Sequence, residues 1–126
     1  MKKRLLAALS ILALLLIGAA LVGAAEQRST ITGEVIDIAG FVQNGARGEE
    51  YAESGRFHAE KGFPVGILTE EGHIYLAVYR DPAPASSLEP ANEQLAPLMG
   101  KEVVAQGVIS EASGVKLIEI ALVAEM

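Results

Sequence analysis

Leu5 to Ala25 is an unbroken apolar run relieved only by Ser10, Gly18 and Gly23, with Lys2, Lys3 and Arg4 directly before it. A stretch of this kind is not one more element of a small core. Spanning hydrocarbon takes about 20 apolar residues, and a secretory h-region about 7–15. A basic start followed by such a run is read by the export machinery, and excess Lys/Arg keeps that flank in the cytoplasm. Residues 26–126 are therefore expected outside the cytoplasm. Length favours a retained inner-membrane anchor with its domain in the periplasm. The small residues at its end, with Val22-Gly23-Ala24 or Gly23-Ala24-Ala25 as a cleavage pattern, favour removal and a periplasmic or secreted product. If the run is retained, Ala19 and Gly23 form a small-xxx-small pair that lets its helix approach another closely.

The chain beyond the apolar run is long enough for a single core and too short for two. Cysteine is absent, so packing must stabilise the domain without disulfides, and thiolate metal ligation and cysteine lipidation are excluded. Of ten basic residues three precede the apolar run, leaving seven against sixteen acidic residues, a balance of −9. Nucleic acid demands a basic footprint, so this balance argues against it, and equally against a domain lying on anionic lipid.

Glu26–Thr30 reads as a linker, residues 1–25 as signal or anchor, and 31–126 as the domain. Ile31–Ile38 is rich in β-branched residues and roughly alternating, a first strand in which Gly33 marks a bend. Gln43–Gly62 is polar and carries four glycines. It reads as a long inserted connection holding a helix from about Glu49 to Lys61, in which Gly55 costs about 1 kcal/mol relative to alanine, so that the helix depends on docking. Pro64–Thr69, the turn Glu70-Glu71-Gly72 and His73–Arg80 make a β-hairpin. Asp81–Pro90, with three prolines, reads as a loop. Ala91–Met99 is a short helix burying Leu95, Leu98 and Met99 and ended by Gly100. Two further strands, Glu102–Ile109 and Val115–Val123, flank a turn at Ser110–Gly114. In the last strand Ile118, Ile120 and Leu122 share one face, and Leu117, Ala121 and Val123 the other.

Strand, hairpin, short helix, hairpin is the order of an all-β, five-stranded OB-like Greek-key barrel, preceded in this chain by the N-terminal apolar helix. Glycines at 33 and 107 suit the curvature that closure needs. An open antiparallel sheet with one helix is the competing arrangement.

Asp37, Gly45-Ala46-Arg47-Gly48, Lys61-Gly62-Phe63-Pro64-Val65-Gly66 and Leu68-Thr69-Glu70-Glu71-Gly72 together carry a resemblance. On these residues the chain resembles a group of small exported bacterial proteins of obscure function that carry a Cys/His-rich insertion after the first strand. Where that group tends to have cysteines and a histidine, this chain has Gly40, Tyr51, Ser54 and His58. The resemblance implies fold and compartment. The soft ligands that would bind metal or haem in such relatives are missing, so no function is carried over.

Candidate binding residues are few. On a helix His58 shares a face with Tyr51 and Ser54, with Glu50 nearby, a group able to hold a hydrogen-bonded ligand. One histidine among carboxylates lacks the convergent ligands zinc needs, and Glu49, Glu50, Glu53 and Glu60 lack the spacing of a calcium loop, so neither metal nor cofactor is expected. Tyr75 and Tyr79 alternate on one face of the third strand, where they either stack on a ligand or pack across strands. His73 is a surface turn residue. No serine lies in a nucleophile motif and no phosphate or dinucleotide loop occurs, so no enzyme is expected. Address, charge and absent chemistry together describe a non-catalytic cell-envelope protein. It is either a membrane-anchored OB-like module that binds another envelope or membrane protein, for instance as an accessory subunit of a membrane complex, or a soluble periplasmic carrier of a small ligand, metal or haem.

Overall fold

The computed structural model describes residues 27–80 and 87–126. The apolar run, including Ala19 and Gly23, lies outside the described residues, as do 81–86 of the expected loop. Strand β1 is Ser29–Asp37, followed by helix α1 at Ile38–Asn44, a 3-10 turn at Glu49–Tyr51 and helix α2 at Ala52–Glu60. Strands β2 (Val65–Thr69) and β3 (Ile74–Arg80) form the hairpin, and a short β4 (Leu88–Pro90) comes next. Helix α3 (Asn92–Leu95) runs into a 3-10 turn at Ala96–Leu98, and β5 (Glu102–Ala112) and β6 (Val115–Glu125) end the chain.

The protein is strand-rich and all its described strands belong to one sheet, in the order β2-β1-β5-β6-β3-β4 with β2 also paired to β3. Five strands thus make a closed ring of pairings, antiparallel throughout except for β3 alongside β6. β1 serves two neighbours. Its first half pairs with β5, its second half with β2, and Gly33 lies opposite both Val103 and Thr69. A Cβ on Gly33 would strike the Leu68 carbonyl, so the crossing point requires glycine.

The core follows from alternation. Val103 and Ala105 on β5 are buried while Glu102 and Gln106 are exposed, a pattern that puts one face of the strand inside. Val35, Ile67, Ala77, Leu95, Met99 and Ile118 complete the interior, each almost wholly removed from water. Full burial of one of the larger of these side chains is worth about 1.5–3 kcal/mol. Leu95 and Met99 are buried and Leu98 packs against them, as the helical spacing predicts.

Several boundaries differ from those the sequence predicts. The proline-rich segment is not loop throughout, because Leu88–Pro90 pairs with Val78–Arg80 at the edge of β3, where a proline without an N–H is tolerated. The last turn is only Ser113-Gly114, both with positive φ, and β5 continues to Ala112. The two-face pattern of β6 also breaks. Its register with β5 shifts between Gln106 and Gly107, which skips Ala121, so Leu122 is 63% exposed while Val123 packs against the core with Ile118 and Ile120. A bulge moves every later side chain to the opposite face. β1 ends one residue early, at Asp37, and α1 is an element that the sequence pattern does not announce.

Candidate binding site on the inserted segment

The chain between β1 and β2 folds against the ring through buried polar groups that β1 supplies. Glu34, 6% exposed, reaches into the loop after α1. Its Oε1 accepts from Arg47 Nε and Nη2 at 3.2 and 3.0 Å, and its Oε2 accepts from the Gly48 main-chain N–H at 2.9 Å. The bond to the Gly48 N–H is the least screened of these, because the Arg47 side chain is half exposed. Three residues on, Asp37 is 2% exposed and accepts at Oδ2 from His58 Nδ1 at 2.7 Å and from the Tyr51 hydroxyl at 3.3 Å. The third attachment lies at the far end of α2. There the Asn92 side-chain amide donates to the carbonyls of Ala59 and Phe63, at 2.8 and 2.7 Å, and so ties the close of the helix to α3.

Glycine permits the docking at two places. A Cβ on Gly55 would meet Met99 Cγ at 2.7 Å, so the residue that weakens α2 as an isolated helix is the one that lets it lie on the core. A Cβ on Gly40 would meet Asp37 Oδ2 and the Tyr51 hydroxyl at 2.8 Å, so α1 covers the polar cluster only because position 40 is bare.

An aspartate offers its carboxylate only as an acceptor, so Nδ1 of His58 carries the proton and the ring is fixed by that edge. Nε2, on the other edge, makes no hydrogen bond among the described residues, and the side chain is 38% exposed. Burial, then the negative charge of Asp37 and the hydrogen bond to it, raise the pKa of Tyr51 above its ordinary value, which keeps the phenol a donor. Asp37 Oδ1 is buried without a partner. Around the imidazole stand two aromatic rings, Phe57 at 6.1 Å and Phe63 at 5.4 Å between centroids, and they are 56% and 48% exposed. Lys61 Nζ lies 5.0 Å from the centre of the Phe57 ring, over its face. The product is a rigid imidazole set in a half-exposed aromatic collar.

No protein-family model matches this chain. None of the curated proteins is significantly similar to it.

Of the residues singled out in the sequence, Tyr51 and His58 are brought together, the phenol oxygen 3.3 Å from Nδ1. Ser54 is not part of the group. It is exposed and bonds to neither, because the 3-10 turn and α2 present Tyr51 and His58 to Asp37 and leave Glu50 and Ser54 to solvent. Tyr75 and Tyr79 do share one face of β3 with Ala77, and both pack against the core. They serve different neighbourhoods. Tyr79 donates to Glu89 on β4 at 2.7 Å, whereas Tyr75 lines a groove beside β1. Asp37, the group that organises the cluster, is marked in the sequence only by the resemblance. It is fourteen and twenty-one residues from its partners, and no periodicity links them. Among the described residues no three His, Asp or Glu side chains are placed to hold a metal ion, and no helix is long and apolar enough to cross a membrane.

Proposed function

We propose that this chain is a non-catalytic cell-envelope protein, an OB-like Greek-key barrel carried across the inner membrane by its N-terminal run, which binds another envelope protein through the inserted segment. The ring of five strands, with one parallel contact and a short helix before β5, supports the OB-like part. One observation carries the binding part. Two sets of polar bonds fix the insert to β1 and a third ties it to α3, and among the side chains they hold outward is an aromatic pair, Phe57 and Phe63, on either side of His58. A rigid aromatic pair around a single hydrogen-bonding group has the composition of an interface hot spot, in which desolvated rings supply affinity and one polar contact fixes orientation.

The test is site-specific photo-crosslinking in cells. A photoreactive residue at position 57 is expected to give one discrete adduct, identified by mass spectrometry as an envelope protein and lost on Phe63→Ala. The same residue at Val115, equally exposed on the β5–β6 hairpin, is expected to give none. Equal labelling at both positions, or none at 57, contradicts the proposal. The carrier reading uses the same imidazole and requires cleavage near Ala25, which the mass of the native protein decides.

A further inference from the structure

A second surface, on the ring itself, is left open by the way β1 divides its pairing. Val35 donates to the Lys101 carbonyl and accepts from Gly100, so the odd-numbered residues of β1 direct their main-chain groups toward β5. Glu34 and Ile36 are paired on the opposite edge, with Leu68 and Gly66, and Ile38 bonds to Pro64 on that same side. Alternation therefore aims the N–H and C=O of Thr30 and Thr32 at the β2 side. β2, however, ends at Thr69 opposite Gly33, a pairing that engages the Thr32 carbonyl but gives neither the Thr32 N–H nor the main-chain groups of Thr30 a partner on β2. Three backbone groups of a well-formed strand are left without a ladder partner on that edge.

That space is a groove of about 810 Å³. Its β1 bank is Thr30 to Thr32, and its far bank is the β2–β3 hairpin. Ile31, Leu68 and Tyr75 give it an apolar floor, while Glu70, Glu71 and Glu102 supply negative charge along the rim. Arg47 and His73 also face it, but Arg47 is neutralised by Glu34. Glu71 is held ionised, its carboxyl lowered by its own main-chain N–H, by the Thr69 hydroxyl and by His73.

We infer that the open edge of β1 accepts an extended segment of a partner protein, alternating apolar residues with lysine or arginine, as an added strand. The unpaired threonine edge supplies the main-chain bonds of strand addition, and alternation of side chains sends one set to the apolar floor and the other to the carboxylates. This surface shares only Arg47 with the inserted segment, so it is a contact separate from the aromatic head.

The probe is a short synthetic peptide alternating valine and lysine, titrated by fluorescence anisotropy against the full chain in mild detergent. Saturable binding that weakens with salt is expected, with none for the valine–glutamate peptide. N-methylation of the peptide amides facing β1 should weaken binding at least about tenfold, since each lost hydrogen bond is worth roughly a factor of five to ten. Thr32→Pro should do the same, because it removes an N–H that the β1–β5 ladder does not use. Binding that is absent, or that survives N-methylation, overturns the inference. The N-methylated peptide keeps the test valid should the proline variant misfold, and crosslinking at position 57 is expected to be unaffected by either.

Discussion

In the strand ring, whose strands are joined by backbone ladders, the side chains that fill the interior are Val35, Ile67, Ala77, Val103, Ala105 and Ile118, and these meet one another by apolar contact without direction. The inserted segment adds to its apolar contacts at Gly55 and Ala59 a set of side-chain bonds from Glu34 and Asp37 of β1 and Asn92 of α3, each to named partners at fixed distances. Apolar packing tolerates small shifts and averages over many contacts. Polar attachment in a poorly solvated place is directional and fails as a unit when one partner goes. The ring is thus built to persist, and the insert to hold one geometry.

Substitutions can break this contrast. The largest effect is expected in the ring. Ile118→Ala should cost about 2–5 kcal/mol and lower the stability of the whole domain in chemical denaturation, ring and insert together. Asp37→Asn comes next, at roughly 1.5–3 kcal/mol, and its effect should be confined to residues 38–62, seen as loss of the His58 and Tyr51 environment by NMR with the ring strands unchanged. Gly55→Ala sharpens the point through its sign. Alanine in a helix interior ordinarily stabilises by about 0.5–1 kcal/mol relative to glycine. In α2 it should destabilise by about 1 kcal/mol or more, because the new methyl group meets Met99. A smaller effect lies in alkali. Unfolded tyrosine ionises near pH 10, whereas folded Tyr51 keeps its proton to higher pH, so the stability this residue contributes is present below about pH 10 and is lost as pH rises through the folded value. Stability measured from about pH 8 to 11 should therefore fall more steeply in the wild type than in Tyr51→Phe. Ser54→Ala should change stability by less than about 0.5 kcal/mol, since its side chain is exposed and bonds to neither Tyr51 nor His58.

The same contrast governs what the sequence reveals. The hairpin at Pro64–Arg80 and the apolar face that Leu95 and Met99 share across α3 and the 3-10 turn after it are legible, because a packed strand or helix repeats its apolar residues at the period of its own geometry. α2 is legible as a helix, and its dependence on docking is legible from Gly55. α1 is not: its first residues, Ile38-Ala39, continue the apolar run of β1, and Asp37 makes no side-chain cap to announce a start. β4 is hidden by proline composition, and the bulge at Ala121 leaves no mark beyond Gly107 on the facing strand. The site is half legible. Tyr51 and His58 fall on one helical face, which spacing reveals, but the choice between Ser54 and Asp37 as their companion depends on how α2 meets β1. A tertiary contact between a strand and a helix twenty-one residues later has no periodic signature.

An insert made rigid by its polar attachment is the central claim, and amide hydrogen exchange on the full chain measures that rigidity directly. In the wild type, amides of Ala52–Glu60 should be protected, though less than those of β1, β5 and β6. Asp37→Asn should release the α2 amides while leaving the ring strands as they were. Unprotected α2 amides in the wild type, or equal loss of protection in ring and insert on Asp37→Asn, would contradict the claim.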